Sequence, residues 1–227
     1  MRKRSEHFTP SLSNPVLFFF TEGENTEPTY IHNIIDDRIK SVKSIQTKND
    51  IRKCIHVNEG KTGNDPKTLM EDAIREADID TENYNCFCVF DNDNRLENKG
   101  KERENLLNSF ALAKERHIKI VFSNPSFEYW ALLHFEDTDA PMDQNKAIDS
   151  LRKLMKGYSR KNKTLNFSLL KLNETSAFER AKRHRIYDKN LNDLKETPNP
   201  KVDENPNTNA DIIPFIIDKF ISIFLSR

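Results

Sequence analysis

The amino-acid sequence predicts an α/β protein of the Rossmann-like class, a parallel sheet of about four strands covered by helices. Three observations lead there. Short apolar, β-rich runs recur through the first half, at residues 16–21 (VLFFFT), 51–57 (IRKCIHV), 86–90 (CFCVF) and 118–122 (IKIVF). The first and third are nearly continuous in apolar residues, as strands buried on both faces are. Helical patterns separate the runs, and connections of that length join parallel strands by right-handed crossovers.

Taken in order, the first run leads into a helix over residues 27–39, with Tyr30, Ile31, Ile34 and Ile35 at helical spacing. A helix over 65–77 opens with Asp65 as N-cap and Pro66 at the first helical position, and shows Leu69, Met70, Ala73, Ile74 and Ala77 on one face. Residues 102–116 offer Leu106, Leu107, Phe110 and Ala113 in the same way. After the fourth run the pattern becomes helical, over 125–135, 145–156 and 175–195. Residues 197–209 (TPNPKVDENPNTN) hold three prolines and four asparagines and predict a polar linker. Residues 212–225 close the chain with an apolar helix, suited to docking on the core or to pairing in a homodimer.

Composition narrows the functional classes. With 36 basic and 36 acidic residues the formal net charge is zero, which argues against coating nucleic acid by bulk charge but leaves room for a local basic groove. No apolar run approaches the roughly 18 to 20 residues that span a bilayer. Residues 1–14 are basic and polar, unlike a signal peptide, so a cytoplasmic location with no membrane contact is expected. Cys54, Cys86 and Cys88 make neither an even disulfide set nor a CxxC metal motif, and they predict small buried side chains. His7, His32, His56, His117 and His184 form no metal-ligand spacing, and His134 lies off the helical face of Glu128.

In open parallel sheets ligands bind at the carboxyl ends of the strands. The first run exits into Glu22-Gly23, the third into Asp91-Asn92-Asp93, and the fourth into a stretch reaching Glu128. Two residues apart in extended backbone, Asp91 and Asp93 would project to one side. Carboxylates converging on one rim repel one another unless a hard cation lies among them, and Mg²⁺ or Mn²⁺ suits an all-oxygen set. Gly23 is expected to turn the chain sharply through a positive φ. Glu128 also has a plainer role, since a carboxylate in a first helical turn favours the helix dipole. Trp130, Leu132, Leu133 and Phe135 fall at helical spacing and predict core. Residues 152–163 (RKLMKGYSRKNK) carry six basic residues and no acid, and predict phosphate-backbone contacts that include Arg160 and Lys163. A second basic cluster begins at Lys182 and Arg183.

Several strings together resemble the RloB family: EGENTEPTY from Glu22, VFDNDN from Val89, and SNPSFEYWALLHFED from Ser123. GNDPKTLMEDAI, LMKGYSRK, AFERAKRH and NPNTNADIIPFI extend the likeness over nearly the whole chain after about residue 15. The resemblance implies a Toprim-type catalytic core over residues 15–140, a helical portion over 141–227, and a flexible basic N-terminus over 1–14. It implies Glu22 as the strand-one glutamate and Asp91/Asp93 as the DxD pair. By similarity to OLD-type nucleases it implies Glu128 as a further ligand or general base and Lys161 as a phosphate contact. Asn94 stands where an acid is often found. The activity implied is Mg²⁺-dependent endonuclease cleavage of DNA or RNA, tRNA included, in bacterial abortive-infection defence, with a defence-system protein as partner. Two other classes fit part of the pattern. A nucleotide-sugar transferase would use the DxD but gives Glu22 no role, and a non-catalytic sensor or adaptor would bind nucleic acid without cutting it.

Overall fold

The computed structural model describes residues 15–60, 65–76, 84–184 and 205–227. The expected basic N-terminus and most of the expected linker lie outside the described residues. The chain runs β1 (Val16–Thr21), α1 (Thr26–Arg38), a 3₁₀ turn (Ile39–Ser41), α2 (Ile45–Lys53), β2 (Ile55–Asn58), α3 (Pro66–Glu76), β3 (Tyr84–Asp91) and α4 (Lys101–Glu115). It continues through β4 (Lys119–Asn124), α5 (Phe127–Leu133), α6 (Gln144–Leu154), α7 (Phe167–Leu172), α8 (Glu174–His184), β5 (Asn207–Thr208) and α9 (Ile212–Leu225).

The five strands lie in the order β2-β1-β3-β4-β5; the first four are parallel and β5 is antiparallel to β4. Alternation along the strands divides the apolar side chains between two layers. Leu17, Phe19, Phe87, Val89 and Val121 face a core shared with α1, α5, α6 and α9. Phe20, Cys86, Cys88, Phe90 and Phe122 face a smaller core with α3 and α4. Trp130, Leu132 and Leu133 are buried in the larger core, as their spacing predicts, and α9 closes it with Ile213, Ile217 and Phe220. Among the described residues no helix is long and apolar enough to cross a membrane.

The order of the strands fixes where a ligand site belongs. From β1 the chain first steps to β2 on one side, then crosses back to β3 on the other. The carboxyl ends of β1 and β3 therefore flank the switch point, where neighbouring connections leave in opposite directions and a crevice opens.

Three local expectations change. Residues 51–53 belong to α2, not to the second strand; Ser44 caps that helix by accepting from Thr47 N at 3.2 Å. The helix expected over 175–195 begins at Glu174 and follows a separate short helix, α7; its expected continuation over 185–195 lies outside the described residues. The end of the expected linker is instead buried and adds a fifth strand. There Asn209 continues the ladder with its side chain: Phe122 N donates to its Oδ1 at 2.7 Å, and its Nδ2 donates to Ile120 O at 3.0 Å. Ser123 Oγ and Thr208 Oγ1 meet at 2.8 Å beside it. The polar residues that suggested a loop are the ones that satisfy the edge of β4.

Asn209→Ala leaves two buried backbone groups of β4 unpaired. It should destabilise the fold by about 2–6 kcal/mol in urea unfolding, at about 1–3 kcal/mol for each orphaned group. A change within about 0.5 kcal/mol, the range of an ordinary surface substitution, would contradict this role for Asn209.

A candidate acidic centre at the sheet switch point

The end of β1 and the end of β3 meet directly: Glu22 N donates to Val89 O at 2.9 Å, and Asp91 N donates to Glu22 Oε2 at 3.3 Å. Beyond Asp91 the chain turns under β4's exit, with Asn92 N bonded to Ser123 O at 2.8 Å and Asp93 N bonded to Pro125 O at 3.0 Å. Asn92 is fully buried and holds the turn through Asn124 Oδ1 at 3.0 Å and Leu96 N at 3.0 Å. Asp93 and Asn94 adopt φ of 47° and 62°. The DxD is thus not extended; Asp and Asn tolerate the left-handed region better than most residues, and the turn brings Asp93 to the cluster.

Five carboxylates converge here: Glu22, Glu27, Asp91, Asp93 and Glu128. Asp91 is buried; its Oδ2 accepts from Phe127 N at 3.0 Å, capping α5, while its Oδ1 has no partner. Burial pushes the Asp91 carboxyl well above its ordinary range, and Glu27, Asp93 and Glu128 push it further. Burial raises Asp93 too, against the fields of Arg95 and Lys163, and its Oδ1 accepts from Gln144 Nε2 at 2.6 Å. Glu128 is buried on α5 and accepts from Tyr158 Oη at 2.6 Å. Lys163 Nζ lies 3.6 Å from the same oxygen. Burial works against the charge of Lys163, but Glu128, Glu27, Asp91 and Asp93 hold its pKa above normal. Ser126, at the start of α5, is buried with an unpartnered hydroxyl.

Glu27 was not singled out by sequence reasoning. It is buried in the first turn of α1, and burial, with Glu128 and Glu22 nearby, pushes its carboxyl up to about 7. Its signal is one acidic residue in the helix that follows a strand-end acid. Gly23 does not have the positive φ expected of it. It is small for another reason: a Cβ there would collide with the Glu27 carboxylate. A Cβ on Gly60 would strike the Glu22 carbonyl, so the end of β2 also depends on a bare backbone.

Arg95, Tyr158 and Gln144 are also new to the site, and no spacing rule points to them. Arg95 engages both oxygens of Glu22 and donates to Asp91 O at 2.7 Å. Even so, burial raises Glu22 above its ordinary value. The structure brings Glu22, Asp91, Asp93, Glu128 and Lys163 together. Arg160 and Lys161 are exposed on the adjoining loop, and no contact among the described residues ties them to the acids.

Were all five carboxylates ionised, Arg95 and Lys163 among the described residues would offset two of the five negative charges, while burial favours the neutral forms of Glu22, Glu27, Asp91 and Asp93. The donors are all oxygen, and Asp91 Oδ1 is orphaned, which suits a hard divalent cation. Among the described residues, no three acidic, histidine or cysteine side chains are gathered as ligands of one ion. Glu22 is instead turned onto Arg95, Asp91 onto the α5 amide, and Glu128 onto Tyr158.

A largely parallel sheet with acids collected at its switch point defines a Rossmann-like protein with an acidic strand-end centre. The family model described as RloB-like protein matches residues 17–213, and the chain belongs to the RloB-like family. No curated protein and no solved structure matches it.

A carboxyl whose folded pKa is raised costs stability once pH exceeds its unfolded value, here the ordinary 3.8, and the full cost is reached above the folded value. Asp91→Asn keeps the acceptor for Phe127 N and removes the charge. In EDTA at pH 8 the variant should melt above the wild type, and the difference should close as pH falls towards 4. A lower melting temperature at pH 8 would mean that the cluster is not strained by its own charge.

Proposed function

We propose that this RloB-like chain is a Toprim-type nuclease that uses Mg²⁺ or Mn²⁺ to cleave phosphodiester bonds of DNA or RNA in antiviral defence. The observation that carries the reading is the five-carboxylate centre at the β1/β3 switch point, in which Glu27, Asp91 and Glu128 are buried and the Asp91 Oδ1 lone pairs are unused. Glu22, Asp91, Asp93 and Glu128 would hold the cation, with Glu27 beside them. Bound there, a divalent cation supplies Lewis-acid stabilisation of charge on phosphoryl oxygens and lowers the pKa of an attacking water.

The chain's own groups have separable tasks. Tyr158 and Lys163 fix the Glu128 carboxylate, and the Lys163 loop is itself hung on α1 through Thr26 Oγ1, which donates to Lys163 O at 3.3 Å. Lys163 stands at the edge of the acids, half-buried and charged, where it can meet a phosphate oxygen without leaving Glu128. Arg160 and Lys161 extend the positive edge along the same exposed loop, suited to neighbouring phosphates of the strand. This division separates the groups that hold the reacting phosphate from those that hold the rest of the chain.

The test is a panel of labelled single- and double-stranded DNA and RNA, tRNA included, incubated with Mg²⁺, Mn²⁺ or EDTA. Cleavage is expected with either metal and not with EDTA. Asp91→Asn should lower it by more than about a hundredfold, because even outer partners of metal ligands commonly cost ten- to a hundredfold. Tight binding of one substrate without cleavage in Mg²⁺ would instead make the chain a nucleic-acid sensor.

A further inference from the structure

Arg95 lies among the acids of the centre, within the fields of Glu22, Asp93 and Asp91. It sits four residues beyond Asp91 on the DxD turn, its own N–H bonded to Asn92 O at 2.8 Å. From there one guanidinium nitrogen reaches Glu22 Oε2 at 3.3 Å and Asp91 O at 2.7 Å, while the other pairs with Glu22 Oε1. Both partners are largely shielded, with 15% of the Arg95 side chain and 12% of the Glu22 side chain exposed. Both oxygens of Glu22 are thereby committed to one planar fork.

We propose that Arg95 is a displaceable internal counter-ion, which occupies the Glu22 carboxylate in the cation-free protein and must leave it when a divalent cation binds. The idea rests on the cation reading of the centre given above. A guanidinium and a metal ion compete for the same carboxylate lone pairs, so Arg95 lowers the apparent metal affinity while it protects the empty centre from its own repulsion. Release has a direction. A guanidinium freed beside bound metal matches a phosphate bidentately, so an incoming phosphodiester would draw Arg95 from Glu22 and tighten the metal. Binding linkage then requires the metal to tighten the phosphodiester by the same factor. Lys163 is the internal comparison: it is a second cation of the cluster among the described residues, but its ion pair is with Glu128.

Calorimetric titration of Mn²⁺ at pH 8 into the wild type, Arg95→Gln and Lys163→Gln tests the proposal without any cleavage assay. Arg95→Gln should bind Mn²⁺ about tenfold or more tightly than wild type, a typical size for relief of one coupled interaction. The same variant should melt lower in EDTA, and Lys163→Gln should change Mn²⁺ affinity by a clearly smaller factor. Should Arg95→Gln fail to fold, Arg95→Lys, whose single ammonium cannot hold both oxygens and the Asp91 carbonyl together, should still bind Mn²⁺ more tightly than wild type.

Unchanged or weaker Mn²⁺ binding by Arg95→Gln, or equal tightening by Lys163→Gln through loss of charge alone, would overturn the proposal. So would unchanged binding by Arg95→Lys if that is the variant read. These outcomes are independent of the nuclease reading, which falls on the absence of cleavage by a wild type that binds metal. Failure of every form to bind Mn²⁺ would overturn both.

Discussion

The repulsion among carboxylates at the ends of β1 and β3 is the constraint on which the rest of the molecule depends. Asp91 sits at the end of a strand buried on both faces, with neighbouring acids on α1, the DxD turn and α5. Water cannot screen charge there as it does at a surface. Each remaining feature of the site can be understood as a way of holding that charge. The α5 amide caps Asp91, Arg95 takes Glu22, Gln144 takes Asp93, and Tyr158 with Lys163 takes Glu128. None of these partners reaches Asp91 Oδ1. A fold that keeps so costly a group in place gives up stability there.

The scaffold makes such an arrangement possible because four parallel strands direct their carboxyl ends to one rim. Helices on both faces bury the sheet, so the strand ends cannot shift to relieve the repulsion. β5 and Asn209 close the β4 edge next to the turn that carries Asp91 and Asp93. The C-terminal segment therefore belongs to the support of the centre although it contributes no acid to it. The same holds for the loop before α7, whose Lys163 brings positive charge back over α1.

Much of this was legible in the sequence where burial dictates residue type. VLFFFT, CFCVF and the apolar segment of α9 can hardly be anything but buried elements, and the strand-end rule then led to Glu22, Asp91, Asp93 and Glu128. The resemblance to the RloB family, carried by the same strings, agrees with the family match over residues 17–213. Legibility failed where tertiary contacts decide. IQTKNDIRK buries only Ile51, so its helix has almost no apolar face to read. Two polar residues make β5, and their pairing depends on the side chain of an asparagine beyond the strand. Arg95 and Gln144 are unremarkable in sequence because their roles arise only when separate turns meet. Lys161 and Lys163 differ by two positions, and only the folded loop shows which of them contacts an acid of the centre.

A divalent cation held by this centre, as proposed, would couple metal binding to the stability of the fold. Melting temperatures of the wild type and of Asp91→Asn at pH 8 should be measured against increasing Mn²⁺, with Mg²⁺ in parallel. Ligand that binds only the folded state must raise the wild-type value progressively with concentration. That rise is expected in the wild type, with little or none in Asp91→Asn. Equal responses of the two proteins, or no response from either, would contradict it.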